Sequence, residues 1–213
     1  MRYRTWIAPA TAIALIATGS PAQAHRLDEY LQATTINLAR DRITLHLRLT
    51  PGVDVADRVI RDIDRDGNGR LSPQERQAYA MRMAQGLSVS LNNRPVTLQP
   101  GASSFPDTDA MRAGTGMIVL QFGISTRLAN GPYRLTYLNN APGPETVRLT
   151  NCLLPQDTSI HVLAQKRSED QSFYQLDFLV GPGDSAPHGT DRTEAASSVT
   201  TPLTDRPRQV SRK

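Results

Sequence analysis

Alternation of apolar and polar residues is the feature that most constrains the fold of this 213-residue chain. In residues 32–49, apolar side chains recur at every second position on both sides of the polar pair Arg40-Asp41. A period of two across a short polar turn predicts a β-hairpin. Further alternating segments follow at residues 87–98, 118–124, 133–137, 147–149, 160–164 and 174–180. Short strands at regular spacing predict an antiparallel β-sandwich, with a tight turn at Asn92-Asn93.

The spacing of apolar residues changes from a strand-like to a helix-like period between residues 52 and 86. Apolar residues there recur three to five positions apart in two groups, Val55, Val59, Ile60 and Ile63, then Ala80, Met83, Ala84 and Leu87. One-sided spacing of this kind predicts two amphipathic helices. We therefore expect a mainly β domain over residues 25–180 that carries a helical insertion at residues 52–86. Residues 100–116 follow neither period, and we expect them to form a loop.

Between the two predicted helices, residues 64–75 fit the pattern D-x-[DN]-x-[DN]-G-x5-E at every position. Calcium is a hard cation that takes about six to eight oxygen ligands, and this spacing supplies them as the chain curls around an ion. The predicted calcium ligands are Asp64, Asp66, Asn68, Arg70, Ser72 and Glu75. Arg70 would contribute its main-chain carbonyl, Ser72 would act through a water, and Glu75 would close the site with both carboxylate oxygens. Gly69 permits the positive φ that the sharp turn requires.

The register of this loop can be checked against a second frame. A loop that began at Asp62 would place Gly67 at the glycine position but Pro73 at the twelfth position, where a bidentate carboxylate is required. A simpler interpretation is an acidic, glycine-rich turn, which does not explain a glutamate at the twelfth position. A capping box from Ser72 to Glu75 is compatible with the calcium loop, because the exiting helix starts there in either case.

Residues 54–86 resemble an EF-hand, in which two helices flank a calcium loop. The resemblance implies calcium ligation by Asp64, Asp66, Asn68, Arg70 and Glu75, with Ser72 as a further ligand. EF-hands usually occur in pairs that are joined through the eighth loop position, here Leu71. The sequence contains no second loop of this pattern, so the partner of this hand would be the sandwich itself or another chain.

The first 24 residues have the features of a secretory signal. Two arginines precede an apolar stretch at residues 6–17, and Ala22-Gln23-Ala24 is a cleavage pattern, so we expect a periplasmic or secreted protein. The segments 25–34 and 49–53 also resemble the exported N-terminal domain of HupE/UreJ-like bacterial proteins, which are linked to metal transport. Their membrane part has no counterpart in this sequence, and a transport role is not carried over.

The charge and composition of the chain argue against nucleic-acid binding and against a membrane span. The formal charge of +4 includes Arg2 and Arg4, so the mature chain would carry about +2, and its basic residues are scattered among acids. We therefore expect no nucleic-acid partner, and no later segment is apolar enough to predict a membrane span.

The single Cys152 cannot form an internal disulfide, and we expect it to act as a small buried hydrophobic residue. Residues 181–213 are nearly devoid of apolar side chains, which predicts a disordered tail.

Two alternatives remain open besides calcium binding. Cleavage after Ala24 would expose His25 as the N-terminus, where an α-amine and an imidazole can chelate copper or nickel. The sandwich surface could instead serve adhesion or another interaction with a membrane protein or exported partner, although the sequence identifies no ligand for it. No hydrolase, zinc-protease or phosphate-loop motif is present, and we predict that the chain is not an enzyme.

Overall fold

The computed structural model describes residues 28–182; the predicted signal sequence and residues 183–213 of the predicted tail lie outside them. The described residues form ten strands and three helices. The strands are β1 Tyr30–Leu38, β2 Arg42–Pro51, β3 Leu87–Leu91, β4 Arg94–Val96, β5 Gln99–Ser104, β6 Ile118–Ser125, β7 Gly131–Asn139, β8 Thr146–Cys152, β9 Ile160–Arg167 and β10 Phe173–Val180. The helices are α1 Val53–Ile63, α2 Pro73–Gln85 and α3 Thr108–Arg112. No helix within this part of the chain is long and apolar enough to span a membrane.

The strands assemble into two five-stranded sheets with the orders β5-β6-β2-β1-β8 and β4-β3-β7-β10-β9. The predicted mainly β, sandwich-like class is confirmed. The prediction of a purely antiparallel arrangement is wrong at one pair, because β8 runs parallel to β1. β8 follows β7, a strand of the other sheet, and joins β1 at the edge of the first sheet. Side-chain alternation determines which face of a strand is buried but not the direction of its neighbour.

The core lies between the inward faces of the two sheets, and its residues follow the predicted period of two. In β1 every second residue is buried, and in the first sheet Leu45 is the cross-strand partner of both Ile36 and Phe122. The second sheet contributes Tyr137, Leu135, Tyr174, Leu176 and Phe178, all with an exposure of 0%. The predicted turn at Asn92-Asn93 is confirmed, and both asparagines adopt positive φ (51° and 62°), which matches the twist of a two-residue hairpin.

The two predicted helices lie between β2 and β3. α1 buries Val55, Ala56, Val59, Ile60 and Ile63, in agreement with the helical period of the sequence. α2 begins with a capping box in which the Ser72 side chain accepts from the Glu75 N–H and Glu75 accepts in return from the Ser72 N–H. Its most deeply buried residues are Tyr79 and Met83. Leu87 fits both the helical spacing and the alternating segment at residues 87–98, and it is the first residue of β3.

The predicted loop at residues 100–116 is wrong, because it contains most of β5 and all of α3. β5 pairs with the edge of β6 through its main chain, yet all six of its residues are exposed. Since neither face is buried, no alternation is required and the strand leaves no apolar pattern in the sequence. α3 has only five residues; the Asp107 side chain caps it at the Ala110 N–H (2.7 Å), and Met111 is buried.

Candidate metal centre

The loop at residues 64–75 is anchored to the core by two buried residues, one just before it and one at its eighth position. Ile63, the last residue of α1, has an exposure of 0%, and Leu71, just before α2, has one of 6%. The Asp64 N–H still donates to the Ile60 carbonyl (2.7 Å), so the helical hydrogen-bond pattern continues into the first loop position. The backbone between these anchors is therefore held against the core while the other loop positions are largely exposed.

Three of the predicted ligands lie close together. One carboxylate oxygen from each of Asp64, Asp66 and Glu75 can be chosen so that all three lie within 4.8 Å of one another. Asp64 is buried, Glu75 is half-buried and Asp66 is exposed. Three negative charges at this separation repel one another, and a divalent cation between them would reverse the sign of that interaction.

The most buried carboxylate carries an unsatisfied oxygen. Asp64 Oδ2 accepts a hydrogen bond from the Gly69 N–H (2.8 Å), whereas Asp64 Oδ1 is buried and has no hydrogen-bond partner. A buried acceptor without a partner costs about 1–3 kcal/mol, and more when the group is charged. Asp64 Oδ1 therefore has the free lone pairs of a metal ligand, in the residue that the sequence assigns to the first coordination position.

The middle of the loop is curled by its own polar side chains. Asp66 Oδ1 accepts from the Asn68 N–H (3.1 Å), and Asn68 Oδ1 accepts from the Arg70 N–H (2.8 Å). Gly67 and Gly69 both adopt positive φ, 69° and 79°, which side chains with a Cβ rarely tolerate. These short-range hydrogen bonds and the two positive φ angles make the segment from Asp66 to Arg70 turn tightly.

Glu75 joins the two ends of the loop. Its Oε1 accepts from the Arg65 N–H (2.7 Å) and more weakly from the Asp66 N–H (3.4 Å). Its Oε2 accepts from the N–H and the hydroxyl of Ser72 (2.9 and 2.8 Å). The bonds from Ser72, and then those from the main chain of Arg65 and Asp66, lower the pKa of Glu75 to about 2. The carboxylate is therefore ionised at neutral pH, as a calcium ligand must be.

The other predicted ligands are positioned less directly. Asn68 Nδ2 donates to Asp66 Oδ2 (2.7 Å), which holds the amide beside one of the three carboxylates. The Ser72 hydroxyl donates to Glu75 and is occupied by the capping box. Arg70 has an exposed side chain, as expected for a residue that would bind through its carbonyl.

Asp62, the acid of the rejected frame, does not belong to the group of three. Its Oδ1 accepts from Arg65 Nη2 (2.6 Å), and its Oδ2 lies 3.6 Å from Arg82 Nη2. The main-chain oxygen of Asp62 also accepts from Arg82 (2.6 Å), which links the end of α1 to α2. These contacts give Asp62 partners of its own outside the loop.

Other residues singled out by the sequence lie away from this loop. His46 lies on β2 and His161 on β9, in different sheets, and His25 is outside the described residues, so copper or nickel chelation there stays a prediction. Cys152 is only half-buried, and its thiol donates to the Leu153 carbonyl (3.2 Å). Burial raises the pKa of this thiol to about 11, so the unreactive protonated form prevails at neutral pH.

A scan of the chain against protein-family models finds no match, and a search of curated proteins finds no similar sequence.

The structure also contains a pair of buried tyrosines that was not predicted from the sequence. The hydroxyl oxygens of Tyr30, the first residue of β1, and Tyr79 of α2 are 2.5 Å apart. Tyr79 lies four positions before Met83, so the helical period could have indicated an inward-facing residue there, but the predicted apolar face was assigned through Ala80 instead. Nothing in the sequence indicated its partner, because the two residues are 49 positions apart.

Proposed function

We propose that this chain is an exported calcium-binding protein that holds one ion in an EF-hand loop at residues 64–75. The observation that carries the proposal is the unpartnered, buried Asp64 Oδ1 within the group of three carboxylates. A turn that served only to connect two helices would have no reason to bury a charged oxygen without a donor. A cation bound to that oxygen removes the cost.

The chemistry of the donors favours calcium. All of the assigned ligands offer oxygen, in carboxylates, an amide, a main-chain carbonyl and a hydroxyl or its water, and none offers sulfur or imidazole nitrogen. Oxygen ligands in a flexible loop suit calcium, whereas magnesium demands a smaller and nearly ideal octahedral arrangement. Both oxygens of Glu75 face groups of the loop, and on binding they would exchange N–H donors for the ion.

We propose a structural role for the ion rather than a switch. The loop is anchored by Ile63 and Leu71 in the core, and α1 and α2 connect directly to strands of different sheets. A switching hand exposes a groove by moving its helices apart, which this anchoring opposes. A ligand that binds only the folded state stabilises it by about 2.7 kcal/mol at a hundredfold excess over Kd.

Hydrogen exchange with and without calcium tests this role. We expect added calcium to slow amide exchange in residues 54–86, with little change in the strands away from the helices. The reason is that the ion ties together the two ends of one loop, and the sheets are already held by their own core. Magnesium at the same concentration is the matched control, and it should give much weaker protection.

One result would contradict the structural role, and another would contradict the selectivity for calcium. Faster exchange in α1 and α2 on addition of calcium, accompanied by newly exposed apolar surface, would indicate a sensor. Equal protection by calcium and magnesium would indicate that the acidic loop responds to any divalent charge.

A further inference from the structure

A cavity of about 310 Å³ lies where α1, α2, the start of β1 and the segment at residues 142–144 meet. Val59, Pro142 and Pro144 give it apolar walls, and Gly143 lies so close to Tyr30 that an added Cβ would be 2.5 Å from the ring. We call it the tyrosine pocket, because Tyr30 and Tyr79 both line it.

The tyrosine pair has one hydrogen-bond donor more than it uses. Tyr30 and Tyr79 are 0% and 2% exposed, and their hydroxyls share a single hydrogen bond of 2.5 Å. Two hydroxyls carry two protons, and within residues 28–182 neither makes another hydrogen bond. The second proton therefore lacks an acceptor, and a buried donor without an acceptor is costly. A ligand atom that accepts a hydrogen bond in the pocket would satisfy it.

Arg58, another lining residue of the pocket, is held in an exposed ion pair. Arg58 Nη1 lies 2.6 Å from Glu145 Oε2, and each side chain is 52% exposed. Exposed ion pairs contribute little stability and exchange readily. Glu145 also has a φ of 32°, in the left-handed region that residues other than glycine rarely adopt, so its backbone is strained. The chain thus holds one of its own carboxylates on Arg58 by a contact that is easily released.

The remaining charge at the pocket is compensated. The carboxylate of Asp62 has Arg65 and Arg82 as partners, so it does not repel an incoming anion with a full charge. Arg58 is the guanidinium that lines the pocket. Its carboxylate partner, Glu145, follows the lining residue Pro144, and a guanidinium binds carboxylates through its planar fork. The pocket therefore combines a carboxylate-binding arginine, apolar walls and a hydroxyl donor.

We propose that the tyrosine pocket binds a small organic carboxylate. Its carboxylate group replaces Glu145 on Arg58, its body packs between Val59 and the two prolines, and an oxygen at its far end accepts from the tyrosine pair. This site is separate from the calcium loop and does not depend on calcium binding.

The test uses 4-hydroxybenzoate as the probe, with 4-hydroxybenzamide as its uncharged analogue, and follows amide NMR signals of the full mature chain. We expect 4-hydroxybenzoate to bind with a Kd on the order of 1 mM, as suits a ligand of this size. The shifted signals should come from α1, α2 and residues 142–145. The amide analogue should bind at least about tenfold more weakly, because it lacks the charge that Arg58 recognises.

Three variants decide whether the pocket is responsible. Arg58→Gln should weaken binding by about tenfold or more, whereas Glu145→Gln should strengthen it severalfold by removing the internal competitor. Arg112→Gln is the matched control. Like Arg58, Arg112 forms an exposed ion pair with a carboxylate, here Asp57 (2.9 Å), but it lies outside the pocket. Equal affinity of Arg58→Gln and the unmodified chain, or no saturable shift at about 10 mM probe, would overturn the proposal.

Discussion

Replacing Glu75 with Gln is expected to lower the affinity for calcium by about a hundredfold. The substitution removes one negative charge and one of the two oxygens that would bind the ion together. It keeps the size of the side chain, and the Gln oxygen can still accept from the Ser72 N–H, which Glu75 binds at 2.9 Å. The start of α2 is therefore preserved, and the loss should be specific to calcium. Thermal unfolding at increasing calcium concentrations measures it.

Asp62→Asn is the matched control, because it removes the same charge two residues before the loop. The carboxylate of Asp62 is 42% exposed and already pairs with Arg65 and Arg82. We expect its calcium affinity to stay within about threefold of the unmodified chain, since the loss is that of a partly screened surface charge. An affinity unchanged by Glu75→Gln, or reduced as strongly by Asp62→Asn, would indicate a capped turn with non-specific attraction for cations.

Gly86→Ala is expected to destabilise the fold by about 1–3 kcal/mol. Gly86 ends α2 with an ordinary φ of −81°, so the cost is not conformational. A Cβ at this position would lie 2.4 Å from Ala141 Cα and 2.6 Å from Ala141 N. Both are main-chain atoms, and the Gly86 carbonyl accepts from the adjacent Asn140 N–H (2.7 Å), so the two segments cannot separate without losing that bond.

Gly123→Ala on β6 provides the comparison, because a Cβ there meets nothing within 4 Å. Its stability should change by no more than about 0.5 kcal/mol. Urea unfolding without calcium measures both variants, so that the loop makes no contribution through the ion. Equal stability of the two variants would contradict the close approach of Gly86 to the segment that leads into the tyrosine pocket.

Much of the fold could be predicted because burial leaves a period in the sequence. β1 and β2 each bury one face, and their register across the Arg40-Asp41 turn follows from that alternation. α1 was equally visible, since Val55, Val59, Ile60 and Ile63 follow the helical spacing i, i+4, i+5 and i+8 and are all buried. β5 was missed for the opposite reason: it is held by main-chain bonds to β6 and buries no side chain.

In the candidate sites, too, local features could be predicted from the sequence and long-range contacts could not. Loop spacing alone predicted that Asp64, Asp66 and Glu75 lie close together, because a calcium loop in one short segment has a fixed sequence pattern. The tyrosine pocket could not be found in this way. It combines β1, both helices and the residues before β8, and their proximity depends on how the two sheets and the helices pack together. The parallel pairing of β1 with β8 could not be predicted for the same reason, because it joins strands that are far apart in the sequence.

Calorimetric titration of the mature chain with calcium tests the central claim most directly. The three acidic side chains of the proposed site would attract the ion, while nearby exposed arginines such as Arg65 and Arg70 lower the local attraction for a cation. We expect one ion per chain and a Kd of about 10⁻⁴ M or slightly tighter, near the affinity of extracellular calcium modules. Absence of binding heat, together with an unchanged melting temperature at millimolar calcium, would contradict the assignment of the loop as a calcium site.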